Sequence, residues 1–104
     1  MLKIAYRNGE YLPKENCTLH ASDLSILRGF GIFDYFRYTA GIPFFLGDHI
    51  NRFCDSAVGM GLEMPLSKNE LSEVVYQLIQ RNERPDGGIR MVLTGGYAAD
   101  GYTP

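Results

Sequence analysis

Apolar and polar residues alternate along this chain and then change period, and the change divides it. Leu2, Ile4 and Tyr6 alternate with Lys3, Ala5 and Arg7, the two-residue period of a half-buried strand. Asn8-Gly9 follows, the dipeptide that best tolerates the positive φ angles of a tight hairpin. Glu10-Tyr11-Leu12 reads as the return strand, ended by Pro13. Residues 14–28 mix polar and apolar positions without a period and read as a connection. From Ile32 to Tyr38 alternation returns: Ile32, Asp34, Phe36 and Tyr38 share one side, and Phe33, Tyr35 and Arg37 the other. Aromatic and β-branched content favours a strand. Ala40-Gly41 predicts a turn, and Ile42 to Leu46 the partner strand, with Pro43 placing it at an edge or at a strand start.

After Gly47-Asp48 the period becomes helical. Asp48 is a candidate N-cap, and Ile50, Phe53, Cys54, Ala57 and Val58 recur at helical spacing. His49, Arg52 and Ser56 fall on the neighbouring face. Gly59 and Gly61 loosen the end and Pro65 forbids continuation. Ser67-Lys-Asn-Glu70 is a capping box, with Leu66 and Leu71 as a candidate hydrophobic staple. Leu71, Val74, Val75, Leu78 and Ile79 then predict a helix to about Arg81. Asp86-Gly87-Gly88 breaks the chain before a last strand, Ile89 to Thr94, and the residues beyond read as loop. Strands grouped before helices predict an α+β fold: a small two-layer domain of two β-hairpins, two helices and a further strand.

Composition narrows the function classes. At 104 residues, 45% hydrophobic and with a net charge of −2, the chain is one domain with a real core. There is no basic excess for nucleic acid. No apolar stretch approaches the length of a membrane span. Cys17 and Cys54 lack the spacing of a zinc or redox motif, and Met1-Leu-Lys-Ile reads as a start that enters a strand directly. Reduced cysteines without a leader predict a cytoplasmic protein.

The candidate chemistry is anion binding. Arg52 sits about one turn inside a helix, beside His49, where a guanidinium can grip a phosphate or carboxylate. The alternatives are a solvated side chain, or one paired with Asp48 or Asp55. His49 itself can be purely structural. Arg37 shares its side of the strand with Phe33 and Tyr35, and a cation beside two aromatics can line a pocket for a carboxylate. Its alternative is an exposed residue on the outer face of a hairpin, and Arg90, in register with Val92 and Thr94, carries the same pair of readings. Gly29-Phe30-Gly31 precedes a strand instead of linking strand to helix, so it is no dinucleotide fingerprint. No nucleophile–base grouping or metal-ligand set can be argued from His20 and His49.

One ordered series covers almost the whole chain. It runs from Asn8-Gly9 through Gly29-x-Gly-Ile-Phe33-Asp-x-x-Arg37 and Gly41-Ile-Pro-Phe to His49-x-x-Arg52-Phe-x-x-Ser56-Ala57, then to Pro65 and Ile89-Arg90. This series resembles the N-terminal domain of the class IV aminotransferases. These are fold-type IV pyridoxal-phosphate enzymes, among them branched-chain and D-amino-acid aminotransferases and aminodeoxychorismate lyase. The resemblance implies that Arg52 contacts the phosphate of pyridoxal 5'-phosphate and that Phe33 walls the pocket. It also implies that Arg90 shapes or contacts the substrate carboxylate region and that Arg37 lies on the pocket side of its strand, both as substrate-binding residues. Two positions depart from the pattern: Arg28 and Gly88 stand where tyrosine is common.

The resemblance further implies that residues 1–104 are the N-terminal domain of a longer homodimeric enzyme, which exchanges an amino group between an amino acid and a 2-oxo acid. The Schiff-base lysine and the glutamate facing the pyridine nitrogen belong to the family's C-terminal domain, and Lys3, Lys14 and Lys68 match neither. No catalytic residue is therefore expected in this chain, which alone should be inactive, hold the cofactor weakly or not at all, and self-associate. The alternatives are a lyase of the aminodeoxychorismate type and a non-catalytic binding or dimerisation module.

Overall fold

The structure is a computed structural model, and it describes residues 3–18 and 31–94. The readings made for Leu2, Arg28, Gly29 and the segment after Thr94 lie outside those residues.

The first hairpin pairs β1 (Ile4–Arg7) with β2 (Glu10–Pro13), Tyr6 facing Tyr11. Its turn puts Asn8 at φ 50° and Gly9 at φ 89°, the left-handed pair that a two-residue turn between twisted strands needs. A single 3-10 turn, Lys14–Asn16, follows.

The second sheet is built around β3 (Gly31–Thr39), with β4 (Ile42–Pro43) on one side and β5 (Gly87–Thr94) on the other. Both neighbours are antiparallel to β3. Ala40 and Gly41 turn the chain at φ 52° and 75°. β4 is shorter than the apolar run predicts, because Leu46 already belongs to a helix. Pro43 does occupy an edge strand, where its missing N–H costs no ladder bond.

Helix α1 (Leu46–Gly59) begins earlier than the sequence suggests, and Asp48 is not its cap. Phe45 holds the N-cap position at φ 52° without a side-chain bond, and Asp48 lies in the first turn. There its negative charge still meets the positive end of the helix dipole. Helix α2 (Lys68–Asn82) starts as predicted: Ser67 Oγ accepts the Glu70 N–H at 3.1 Å, and Glu70 Oε1 accepts the Ser67 N–H at 2.9 Å.

Both helices cover one face of the three-stranded sheet. Phe36, Tyr38 and Met91 from the strands meet Phe53 from α1 and Val75 and Ile79 from α2, with Leu46, Met64 and Leu71 packed around them. Taking such a side chain fully out of water stabilises by roughly 1.5–3 kcal/mol. The alternation in β3 determines which residues enter this core: Asp34, Phe36 and Tyr38 are buried, while Phe33, Tyr35 and Arg37 are exposed.

The first hairpin is fastened to α2. Asn82 Oδ1 accepts the Ile4 N–H at 2.8 Å, and Asn82 Nδ2 donates to the Ile4 carbonyl at 3.0 Å. One amide side chain thus satisfies both backbone groups of a strand residue. The Arg81 guanidinium stands 4.0 Å from the Tyr11 ring centre.

Candidate functional site

The alternation of β3 carries one charge, Asp34, onto the face that the helices bury. A carboxylate there is costly unless it is paired and hydrogen-bonded. α1 supplies the partners, because residues three apart on a helix project together and both His49 and Arg52 face the strand. Arg52 donates from Nε to Asp34 Oδ2 at 2.9 Å and from Nη2 to Oδ1 at 2.7 Å. This is a side-on, two-bond pair.

Oδ1 also accepts the Tyr35 N–H at 2.8 Å and lies 3.1 Å from His49 Nδ1. The same ring nitrogen lies 3.0 Å from Arg52 Nη2. It can donate to the carboxylate or accept from the guanidinium, and the tautomer selects one. The His49 ring leans on Phe36, with centroids 5.2 Å apart.

The electrostatics follow from these bonds. The Arg52 hydrogen bonds hold the Asp34 carboxyl well below the usual carboxylate range; burial opposes this, and His49, the Tyr35 N–H and the Arg52 charge reinforce it. The same pair raises the Arg52 guanidinium further. Asp34 is 6% exposed and Arg52 64%. A buried carboxylate therefore anchors an arginine that reaches solvent. Arg52 Nη1 makes no hydrogen bond among the described residues.

Neither Asp48 nor Asp55, the partners that proximity on the helix offers, takes this arginine. Asp34 does, from a separate element, and the sequence reading does not single it out as a site residue. A signal is present nonetheless: one acidic residue on the otherwise apolar Ile32–Phe36–Tyr38 side of a strand. His49 likewise gains a place in the cluster.

The other face of the sheet gathers Phe33, Arg37 and Arg90. Arg90 stands opposite Tyr35 in the ladder, Val92 opposite Phe33, and Gly88 opposite Arg37. Phe33 is 73% exposed and Val92 56%. Among the described residues, the side chains of Arg37 and Arg90 form no hydrogen bond or ion pair, although the Arg37 carbonyl accepts the Phe44 N–H at 2.9 Å. This group and Arg52 thus approach β3 from different sides, and no ion pair joins them. β4 pairs only with Tyr38 and Thr39, so among the described residues no strand pairs with the β3 edge beside Asp34.

The described residues contain no group of three His, Cys, Asp or Glu side chains able to hold a metal. None of their helices is long and apolar enough to cross a membrane. Cys17 and Cys54 are both free. The three lysines are exposed and stand outside the Asp34 cluster.

Comparison with known proteins gives this geometry a context. The chain is 31% identical over 99 residues to the aminodeoxychorismate lyase of Bacillus subtilis, covering 93% of this chain and 34% of that protein. It is 32% identical over 91 residues to the D-alanine aminotransferase of Bacillus licheniformis, covering 88% and 32%. Among solved structures, it superposes on a T.th. branched-chain amino acid aminotransferase with pyridoxamine 5'-phosphate. That match has a TM-score of 0.86 and 27% identity, covering 95% of this chain and 34% of that one. The chain thus spans about a third of the length of the relatives it matches. Residues 31–104 match the family described as amino-transferase class IV. By that match, and by fold, this chain belongs to the class IV aminotransferases.

Proposed function

We propose that this chain is the N-terminal portion of a pyridoxal-phosphate-dependent aminotransferase, in which Arg52 binds the cofactor phosphate. The observation that carries the reading is the Arg52 guanidinium itself. It is held through Nε and Nη2 by a buried carboxylate and reaches solvent with Nη1 unengaged among the described residues. That donor set fits a phosphate, because planar N–H groups match the spacing of oxyanion oxygens. Bound pyridoxal phosphate supplies an electron sink for the carbon bearing the amino group.

On the other, aromatic face of the sheet, Phe33 excludes water, while Arg37 and Arg90 orient the carboxylate of an amino acid or 2-oxo acid. Amino-group exchange also needs a base at the reacting carbon. In the Asp34 cluster the carboxylate is committed to Arg52, and His49 Nδ1 is engaged by the same pair. The base is therefore assigned to the remaining two thirds of the enzyme's length, and this chain alone is expected to be inactive. A homodimer is the assembly we expect, and the unpaired Cys17 and Cys54 suit a cytoplasmic location.

The test is a titration of the full-length protein with pyridoxal phosphate and with pyridoxal. Arg52→Ala should abolish the preference for the phosphorylated form, and an unchanged preference would refute the assignment. A lyase reading is favoured by the similarity to the Bacillus subtilis enzyme. Assaying the full-length protein for pyruvate release from aminodeoxychorismate, against amino transfer from branched-chain or D-amino acids to 2-oxoglutarate, separates the two.

A further inference from the structure

We propose that Asp34 is a positioning residue for anion binding: it holds the Arg52 guanidinium by its Nε side and so turns the Nη1 edge toward the ligand. The proposal rests on the reading of Arg52 as the phosphate-binding arginine and adds a residue to that site.

The carboxylate is well suited to the task. It projects from the middle of a strand whose neighbour on one side is β5, and it is nearly fully buried. Its Oδ1 accepts the Tyr35 N–H at 2.8 Å and Arg52 Nη2 at 2.7 Å, and its Oδ2 accepts Nε at 2.9 Å. His49 Nδ1 closes a further side at 3.1 Å. A carboxylate restrained in this way has little freedom to follow its partner, so the partner must conform to it. Arg52 is otherwise a long, exposed side chain with much rotamer entropy to lose. Fixing it before the ligand arrives removes that cost from binding. Side-on pairing also leaves the right atoms available: a guanidinium has five N–H donors, and two of them satisfy the carboxylate.

Charge alone predicts the opposite. A carboxylate beside the arginine cancels part of its field, so removing it should strengthen attraction for a phosphate dianion. Positioning predicts that removal weakens binding. The two accounts differ in sign.

The experiment compares the affinities of full-length protein for pyridoxal phosphate and for pyridoxal, read by absorbance titration. The ratio isolates the phosphate contribution. Asp34→Asn should lower that ratio by about 2- to 10-fold, the scale set by immobilising one side chain. It should leave pyridoxal affinity in place and have no further effect in an Arg52→Ala background. Asp34→Glu retains the charge but displaces the carboxylate, and it should lower the ratio by less than Asn does. This variant serves if Asp34→Asn fails to fold. A ratio that rises, or stays at the wild-type value, in either folded variant overturns the proposal. If Arg52→Ala leaves the ratio intact, the underlying reading of Arg52 fails instead.

Discussion

The Tyr35 ring lies directly over the backbone of Gly88. A Cβ placed on Gly88 would fall 2.6 Å from the Tyr35 Cζ, and one on neighbouring Gly87 would fall 2.9 Å from the Tyr38 Cζ. The two glycines admit two rings on opposite faces of one sheet. The rings differ in freedom, since Tyr35 is 46% exposed and Tyr38 only 6%.

Alanine at the two positions should therefore behave differently. Gly88→Ala is expected to swing the Tyr35 ring into solvent and change stability by less than about 0.5 kcal/mol, the range of surface substitutions. Gly87→Ala must displace a ring packed among Phe53 and Val75, and it should cost about 1–3 kcal/mol, as overpacking does. Urea denaturation of both variants measures the difference, and equal costs would show that Tyr38 yields as easily as Tyr35.

Asn82 joins the first hairpin to the rest of the fold through its two bonds to Ile4. Asn82→Leu leaves both Ile4 backbone groups without their partner, at a cost of about 1–3 kcal/mol. Hydrogen exchange should accelerate in residues 4–13 while the amides of β3 and β5 keep their protection. Uniform acceleration across both sheets would mean that the hairpin is not an independent unit.

The Asp34 pair imposes an acid limit on stability. Its folded carboxyl titrates below the ordinary range, so the unfolded chain takes up the proton first as pH falls. The stabilisation is complete above the unfolded value, near 4, and declines as pH drops toward the folded value. The advantage of wild type over Asp34→Asn in urea midpoint should hold from pH 7 to about 5 and shrink below about 4. A difference independent of pH down to about 2 would indicate packing and not charge.

Phe45 enters α1 with left-handed backbone and a side chain that is 74% exposed. Left-handed geometry costs a residue with a Cβ about 1–2 kcal/mol, and glycine far less. Phe45→Gly should therefore raise thermal stability modestly, by about 0.5–1 kcal/mol. A loss of stability would reveal a packing role for the exposed ring.

Local patterns in the sequence determined the elements. The dipeptides Asn8-Gly9 and Ala40-Gly41 set both hairpin turns, the capping box set the start of α2, and two-residue alternation set which side of β3 entered the core. These features are legible because turn chemistry and periodicity act within a few residues of the chain. The start of α1 was not, because Phe45 caps it against its own backbone preference and the surrounding packing prevails. Family membership was also written in the spacing of His49-x-x-Arg52 and its neighbours. The partner of Arg52 was decided only by tertiary structure. Asp48 and Asp55 are near in sequence, but packing α1 on the sheet brings Arg52 to Asp34, whose burial makes pairing obligatory. The positions of Arg90 beside Tyr35 and of Gly88 beneath its ring were decided the same way, by the antiparallel register of β3 with β5, which no local signal specifies.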